Sequence, residues 1–152
     1  MSSTKTRPSI VFAEDNSMMS ARVQLLLAPG AELVATVADG CALLAAVRQY
    51  RPDVIVTDIH MPCMTGLEAA RHILAEQPKA KIVFVTAVHD AEVIRAALAL
   101  GGLGFVAKRD VGTELVAAVQ SSLEGKIYIS KTGWQMFGPK VRPDPDWGNR
   151  PQ

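Results

Sequence analysis

Short apolar runs alternate along the chain with longer segments whose apolar residues recur at helical spacing. The runs cover residues 10–13, 33–37, 54–56, 82–85 and 103–107 and are rich in β-branched or aromatic side chains, which is typical of strands. Four of the five are apolar throughout, as expected when both faces of a parallel sheet are covered. The run at 33–37 is more mixed, which favours an edge position.

The segments between and after the runs predict five helices. Their apolar positions are Met19, Val23, Leu26 and Leu27; Leu43, Leu44 and Val47; Leu67, Ala70, Ile73 and Leu74; Val93, Ile94, Ala97 and Leu98; and Leu115, Val116, Val119 and Leu123. The third helix stops before Pro78, and the fourth ends at Gly101 and Gly102, because glycine commonly closes a helix. Regular alternation with short connections implies right-handed crossovers, and therefore a doubly wound α/β fold.

The composition narrows the class of protein without identifying it. The chain has 152 residues, 49% of them hydrophobic and 20% charged, which suits one globular domain. It contains no apolar run long enough to span a membrane and no secretory signal, so the cytoplasm is the expected location. A formal net charge of +1 argues weakly against binding nucleic acid through bulk positive charge.

The two cysteines carry no recognisable motif. Cys41 and Cys63 are far apart in sequence and form no Cys-x-x-Cys pair. Two cysteines are also too few for a disulfide framework or a thiolate zinc site. We therefore expect both to be reduced thiols.

The alternating pattern ends near residue 130. Pro139, Pro143, Pro145 and Pro151 interrupt the rest of the chain, which also contains glycines and tryptophans. These features predict a domain over residues 1–130 and a tail or linker over 131–152, without a helix. Such a tail is too short for a helix-turn-helix, which needs two or three packed helices. We therefore expect that the chain does not bind DNA by itself.

Polar residues follow four of the predicted strands. Glu14 and Asp15 come after the first strand and Asp58 after the third, while Thr86 follows the fourth and Lys108 the fifth. In an open parallel sheet, ligands bind beyond the carboxyl ends of the strands. The three carboxylates, the hydroxyl and the ammonium are therefore expected to converge at one edge of the sheet.

This set of side chains predicts phosphoryl chemistry with a metal. Gathered carboxylates repel each other unless a cation neutralises them, and Mg²⁺ suits a site with few carboxylates and several waters. Lys108 and Thr86 on the far side suit an oxyanion such as a phosphoryl group. No Ser-His or Cys-His arrangement follows any predicted strand, so the nucleophile would be a carboxylate. Asp58, central in the sheet, is the best placed.

With these residues in view, the chain resembles the receiver domains of bacterial two-component response regulators over about residues 9–130. The motifs are Glu14-Asp15, Asp58-Ile59-His60-Met61-Pro62-Cys63-Met64-Thr65-Gly66-Leu67-Glu68, Thr86-Ala87 and Phe105-Val106-Ala107-Lys108. The resemblance implies a flavodoxin-like sheet of five parallel strands in the order 2-1-3-4-5 with helices on both faces. The segments 101–108 and 124–130 look most like regulators that carry a helix-turn-helix, which this sequence lacks.

The resemblance also implies a role for each site residue. Asp58 would accept a phosphoryl group from a phosphohistidine on a sensor histidine kinase or phosphotransfer protein. Lys108 and Thr86 would contact phosphoryl oxygens, and Phe105 would be the switch aromatic. The Mg²⁺ ligands would be Glu14, Asp15, Asp58 and the backbone carbonyl of His60. Such a phosphoprotein catalyses only its own Mg²⁺-dependent phosphorylation and dephosphorylation.

We expect the protein to transmit its signal by contact with other proteins and not to bind a membrane. The surface formed by residues 90–124 would report phosphorylation to a downstream protein target. The fourth helix, rich in alanine and leucine, offers an apolar strip on which a target or a second receiver would pair as a homodimer.

The sequence also argues against several alternative functions. A phosphatase of the haloacid dehalogenase type needs a second aspartate where this chain has His60. In a flavodoxin-like cofactor site, Glu14 and Asp15 would repel the phosphate of the cofactor. His60 and His89 lack the further ligands of a zinc site. The remaining alternative is a receiver-like interaction module that signals without phosphorylation, against which the complete acidic, threonine and lysine set argues.

Overall fold

The computed structural model of the chain describes residues 7–87 and 91–137. The five predicted strands and five predicted helices are confirmed in their order. In chain order the elements are β1 (Ser9–Ala13), α1 (Ser17–Leu27), β2 (Glu32–Val37), α2 (Gly40–Tyr50), β3 (Val54–Asp58), α3 (Gly66–Glu76), β4 (Ile82–Thr86), α4 (Ala91–Ala99), β5 (Gly104–Ala107), a 3-10 turn (Lys108–Asp110), α5 (Val111–Leu123), β6 (Tyr128–Ile129) and α6 (Lys131–Phe137).

Side-chain caps define where the first three helices begin. Asn16 accepts a hydrogen bond from the backbone N–H of Met19 at the start of α1, and Asp39 accepts one from Ala42 at the start of α2. At α3, Thr65 and Glu68 form a reciprocal capping box. These caps satisfy backbone donors that have no partner within the helix. They also fix the loops that leave the carboxyl ends of β1 and β3.

The sheet has six parallel strands rather than five. Its order is β2-β1-β3-β4-β5-β6, so the predicted order 2-1-3-4-5 is correct but incomplete. The added strand pairs Tyr128 with Gly104 and Ile129 with Phe105. The prediction missed β6 because two residues make too short a run to give a strand signal.

Apolar side chains cover both faces of the sheet. Helices α2, α3 and α4 pack on one face, where Leu43, Ile73 and Ile94 join Phe84 in the core. Helices α1 and α5 pack on the other face, where Leu115 joins the β-strand valines. Burial on both sides explains the continuous apolar runs of the central strands. The carboxyl ends of the strands are left for polar side chains.

The segment after Ser130 differs from the expected irregular tail. Residues Lys131–Phe137 form α6, which packs against β5 and α4. The backbone N–H and the hydroxyl of Thr132 both donate to the carboxylate of Asp110, at 2.9 and 3.0 Å. These tertiary contacts hold a short helix that its own sequence does not predict. Residues 138–152, with the four prolines, lie outside the described residues, and the division at residue 130 stays a prediction.

The expectation of two reduced thiols is wrong in this structure. Cys41 and Cys63 form a disulfide, with 5.9 Å between their Cα atoms. Cys41 lies in the first turn of α2, and Cys63 lies in the loop between β3 and α3. The two residues meet because α2 packs beside this loop, which the sequence spacing did not reveal.

Within residues 7–87 and 91–137, no helix has both the length and the apolar character needed to cross a bilayer.

Candidate functional site

The predicted polar residues converge at the carboxyl ends of four strands. Glu14 directly follows β1, Asp58 and Thr86 are the last residues of β3 and β4, and Lys108 directly follows β5. Carboxylate oxygens of Glu14, Asp15 and Asp58 lie within 4.8 Å of one another. Parallel strands bring these positions together because their carboxyl ends share one edge of the sheet.

Asp58 is held in one orientation by two donors. Its side chain is only 5% exposed. The backbone N–H of Ile59 donates to Oδ1 at 2.6 Å, and Lys108 Nζ donates to Oδ2 at 2.9 Å. The hydroxyl of Thr57 donates to the Asp58 carbonyl at 2.8 Å. Because both carboxylate oxygens are engaged, the group is fixed in direction at the end of β3.

Lys108 also joins Asp58 to Glu14. Its Nζ lies 3.1 Å from Oε1 of Glu14, whose side chain is 1% exposed. Burial by itself lowers the pKa of Lys108, but contact with Asp58 and Glu14 outweighs it and raises that pKa above its ordinary value. Burial also raises the pKa of the Glu14 carboxyl, and the charge of Asp58 adds to this increase. The Lys108 ammonium therefore forms ion pairs with two buried carboxylates.

The acidic cluster fits a hard divalent cation. Asp15 is exposed, whereas Glu14 and Asp58 are buried, so the cluster has an open side facing solvent. Three carboxylates face a single ammonium, which leaves excess negative charge. Oxygen-only donors with room for water match the preferences of Mg²⁺. His60 stands two residues after Asp58 in sequence, and its side chain is exposed.

The loop between β3 and α3 fits closely against its neighbours because of two glycines. A Cβ at Gly66 would collide with the backbone carbonyl of Asp58, and one at Gly40 would collide with that of Met64. Gly66 donates to the carbonyl of Ile59 at 2.7 Å. The sequence reasoning gave neither glycine a role. Gly66 belongs to the motif at residues 58–68, which could have indicated its role, whereas Gly40 belongs to none of the motifs.

Thr86 and Phe105 lie behind the acidic cluster, on β4 and β5. Both side chains are fully buried. A pocket lined by Thr86, Ala87, Ala107, Lys108 and Arg109 opens beside them. Phe105 was predicted to be the switch aromatic, and in this structure its ring is buried.

The predicted reporting surface is partly covered in this structure. Helix α6 packs against α4 and β5, and Trp134 contacts the core that contains Phe105. Residues 88–90, which include His89 and the first residue of the predicted surface, lie outside the described residues.

The sequence of the domain that carries this site matches a known family. A family model described as the response regulator receiver domain matches residues 10–120. The chain belongs to this family.

Curated relatives of this receiver domain include whole regulators that are longer than it. The transcriptional regulatory protein DegU of Brevibacillus brevis is 32% identical over 122 residues, covering 79% of this chain and 52% of DegU. A protein-glutamate methylesterase/protein-glutamine glutaminase of Nitratidesulfovibrio vulgaris is 32% identical over 142 residues, covering 90% of this chain and 39% of the relative. The chain thus spans about half the length, or less, of these relatives.

Solved structures agree with the receiver fold. A LuxR-family two-component response regulator from Aurantimonas superposes with a TM-score of 0.83 at 27% identity, covering 88% of this chain and 97% of the other. A LuxR-family DNA-binding response regulator from Staphylococcus aureus gives a TM-score of 0.73 at 26% identity, covering 76% and 98%. The receiver fold of this chain is therefore shared with response regulators of two-component systems.

Proposed function

We propose that this receiver accepts a phosphoryl group on Asp58 with Mg²⁺ bound at Glu14, Asp15, Asp58 and the backbone carbonyl of His60. The observation that carries the proposal is the contact between Asp58 and Lys108 at the rim of the acidic cluster. A carboxylate oriented by a backbone amide and a lysine is a nucleophile already directed toward the rim. The excess of carboxylates provides the charge for the cation.

The chemistry follows from the positions of these groups. An Asp58 oxygen bonds to phosphorus as the phosphorus–nitrogen bond of a phosphohistidine breaks, and the donor imidazole keeps the bonding electrons. Mg²⁺ held by Glu14, Asp15 and Asp58 would supply positive charge to offset that of the phosphoryl oxygens. Lys108 then exchanges its contact with the Asp58 carboxylate for one with a phosphoryl oxygen, and Thr86 donates its hydroxyl to another. Hydrolysis of the acyl phosphate by water restores the carboxylate and releases inorganic phosphate.

The proposed partners are proteins. A sensor histidine kinase or a phosphotransfer protein donates the phosphoryl group in the cytoplasm, and a downstream protein reads the result on the surface of residues 90–124. Pairing with a second copy would use the same surface. Apart from its own phosphorylation and dephosphorylation, the chain catalyses no reaction in this proposal.

Mass spectrometry tests the phosphoryl acceptor directly. The intact mass of the chain is measured after incubation with acetyl phosphate, with Mg²⁺ or with excess EDTA. We expect a gain of one phosphoryl group only with Mg²⁺. Asp58→Asn should gain nothing, whereas Asp53→Asn, a change at an aspartate that pairs with Ser9 away from the site, should gain the group normally. Equal labelling of Asp58→Asn and the native chain would refute the proposal.

Lack of DNA binding is a separate part of the proposal. The described part of the chain after Ser130 contains α6 alone, seven residues packed against β5 and α4, which does not make a helix-turn-helix. We expect no sequence-specific shift of DNA in a mobility assay at physiological salt, with or without phosphorylation. A specific shift by this chain would overturn this part.

A further inference from the structure

The phosphoacceptor loop, residues 59–65, is tied to α2 by a covalent bond. Cys63 lies in this loop, five residues after Asp58, and its disulfide partner Cys41 lies in the first turn of α2. Next to the disulfide, the backbone N–H of Gly40 donates to the carbonyl of Pro62 at 3.3 Å. The bond therefore reinforces the contact that sets the position of the loop beside the candidate metal site.

We propose that Cys41 and Cys63 form a reversible disulfide that controls the phosphoacceptor loop, and through it the binding of Mg²⁺ beside Asp58. The link to Mg²⁺ rests on the function proposed above, because the loop carries the backbone carbonyl of His60. The disulfide and its effect on the loop do not rest on that function.

The backbone of Cys63 supports a role for the bond in shaping the loop. Cys63 has a φ of 72°, a left-handed conformation that residues other than glycine rarely adopt. Cys63 is the central residue of a tight turn that is closed by a hydrogen bond from Met64 N–H to the Pro62 carbonyl at 2.8 Å. When the disulfide is reduced, one of the constraints on this unfavourable conformation is lost, and the loop gains access to other positions.

The chemistry of Cys63 suits reversal by a dithiol. Cys63 is exposed, so a thiolate reductant can reach its sulfur. The reductant sulfur bonds to Cys63 as the bond to Cys41 breaks, and Cys41 leaves as a thiolate that takes a proton. The second thiol of the reductant then displaces Cys63, so the protein gains two electrons and two protons and the dithiol becomes a disulfide. A low-molecular-weight disulfide such as oxidised glutathione reverses the exchange.

The cytoplasmic location proposed above also favours a regulatory role for the disulfide over a structural one. Disulfides are rare in the reducing cytosol, and those found there are usually transient and redox-sensing. A cytoplasmic receiver with this pair would therefore change between two forms according to the thiol poise. The oxidised form holds the loop against α2, and the reduced form releases it.

The first experiment measures the bond and the loop without Mg²⁺ or a phosphoryl donor. After treatment with oxidised glutathione, the denatured chain should add no iodoacetamide, and after treatment with a dithiol reductant it should add two equivalents. Amide exchange at residues 59–65 should be slower in the oxidised form by about fivefold or more. Two free thiols after oxidation, or the same exchange in both forms, would overturn the inference.

The second experiment measures the effect on the metal site. Calorimetric titration should give a Mg²⁺ dissociation constant that is lower by a factor of about five or more for the oxidised form than for the reduced form. The control is the double variant Cys41→Ser with Cys63→Ser, in which the reductant should change nothing. Equal Mg²⁺ affinity of the two native forms would overturn the control of the metal site. If neither form gains a phosphoryl group while the amide exchange differs as expected, the proposed function fails and the redox control of the loop stands.

Discussion

Lys108 Nζ lies 2.9 Å from Oδ2 of Asp58, across a separation of 50 residues in sequence. The same ammonium lies 3.1 Å from Oε1 of Glu14. Lys108 therefore offsets part of the repulsion between two buried carboxylates. In the proposed phosphorylation of Asp58, this lysine would exchange a carboxylate partner for a phosphoryl oxygen.

Replacing Lys108 should expose the repulsion that it offsets. In Lys108→Ala the carboxylates of Asp58 and Glu14 face each other without the ammonium, and we expect the free energy of unfolding in EDTA to fall by about 1–3 kcal/mol. Added Mg²⁺ should recover part of this loss because the cation takes over the neutralising role. Phosphorylation by acetyl phosphate should be strongly impaired. Urea denaturation with and without Mg²⁺, together with intact mass, measures these effects.

Lys126→Ala is the matched control for this change. Lys126 is 51% exposed and pairs with the exposed Glu124, so its loss should change stability by less than about 1 kcal/mol. A Lys108→Ala protein as stable as Lys126→Ala in EDTA would contradict the neutralising role of Lys108.

Asp15 offers a separate test of the metal site because it is exposed. Asp15→Asn removes one ligand charge from the open side of the cluster without leaving a buried group unpaired. We expect the Mg²⁺ affinity to fall about tenfold or more, while the stability in EDTA changes by less than about 0.5 kcal/mol. Calorimetric titration gives the affinity. Glu124→Gln, an exposed change away from the site, should bind Mg²⁺ as the native chain does, and an Asp15→Asn protein that matched it would remove Asp15 from the ligand set.

The strand-end residues could be predicted because their positions follow from chain order alone. Glu14, Asp58, Thr86 and Lys108 each end or directly follow a recognisable apolar strand, and parallel strands bring such positions to one edge. The disulfide could not be predicted in this way. Its two cysteines are 22 residues apart and meet only because α2 packs beside the loop after β3.

Helix α6 was not predicted from the sequence for a related reason. Helix α6 has seven residues and depends on tertiary anchors, since Thr132 donates to Asp110 and the backbone N–H of Lys131 donates to Glu114. Its sequence contains Gly133, which lowers helix propensity. An isolated segment of this length has no stable helix in water, so no local pattern could have indicated it.

The anchor of α6 predicts a pH dependence of stability. Burial by itself raises the pKa of Asp110, but hydrogen bonds from Ser130 and Thr132 and the charge of Arg109 outweigh it and hold that pKa below its ordinary value. The ionised form is therefore favoured by folding. Its contribution is fully present above the unfolded pKa of about 3.9 and is lost as the pH falls through the lower folded value.

Asp110→Asn tests this dependence. At pH 7 the variant should have a free energy of unfolding lower by about 1 kcal/mol, because a charged acceptor is replaced by a neutral one. The difference from the native chain should stay constant down to about pH 4 and shrink below it. Urea denaturation at a series of pH values measures the difference. A gap between the two proteins that grew on acidification would contradict the sign of the Asp110 pKa shift.

We expect phosphorylation of Asp58 to change the structure around β5, α4 and α6 through Thr86. Thr86 is the last residue of β4, and Phe105 lies on the adjacent strand β5 with its ring fully buried. Helix α6 covers this region, with Gly133 close to the Phe105 ring. A phosphoryl oxygen that draws the Thr86 hydroxyl toward Asp58 changes the space behind it, so the packing of Phe105 against α4 and α6 must adjust. A ligand shifts such an equilibrium only by its differential affinity for the two forms.

Amide exchange with and without beryllofluoride and Mg²⁺ tests this route. In the native chain, exchange should change at the Asp58 rim and also in residues 91–124 and 131–137. In Thr86→Ala the change should be confined to the rim, because the hydroxyl that connects the phosphoryl group to β5 is missing. Thr86→Ser keeps the hydroxyl and should restore the distant change. If residues 91–137 responded equally in Thr86→Ala and the native chain, the signal would reach them by a route that does not pass through Thr86.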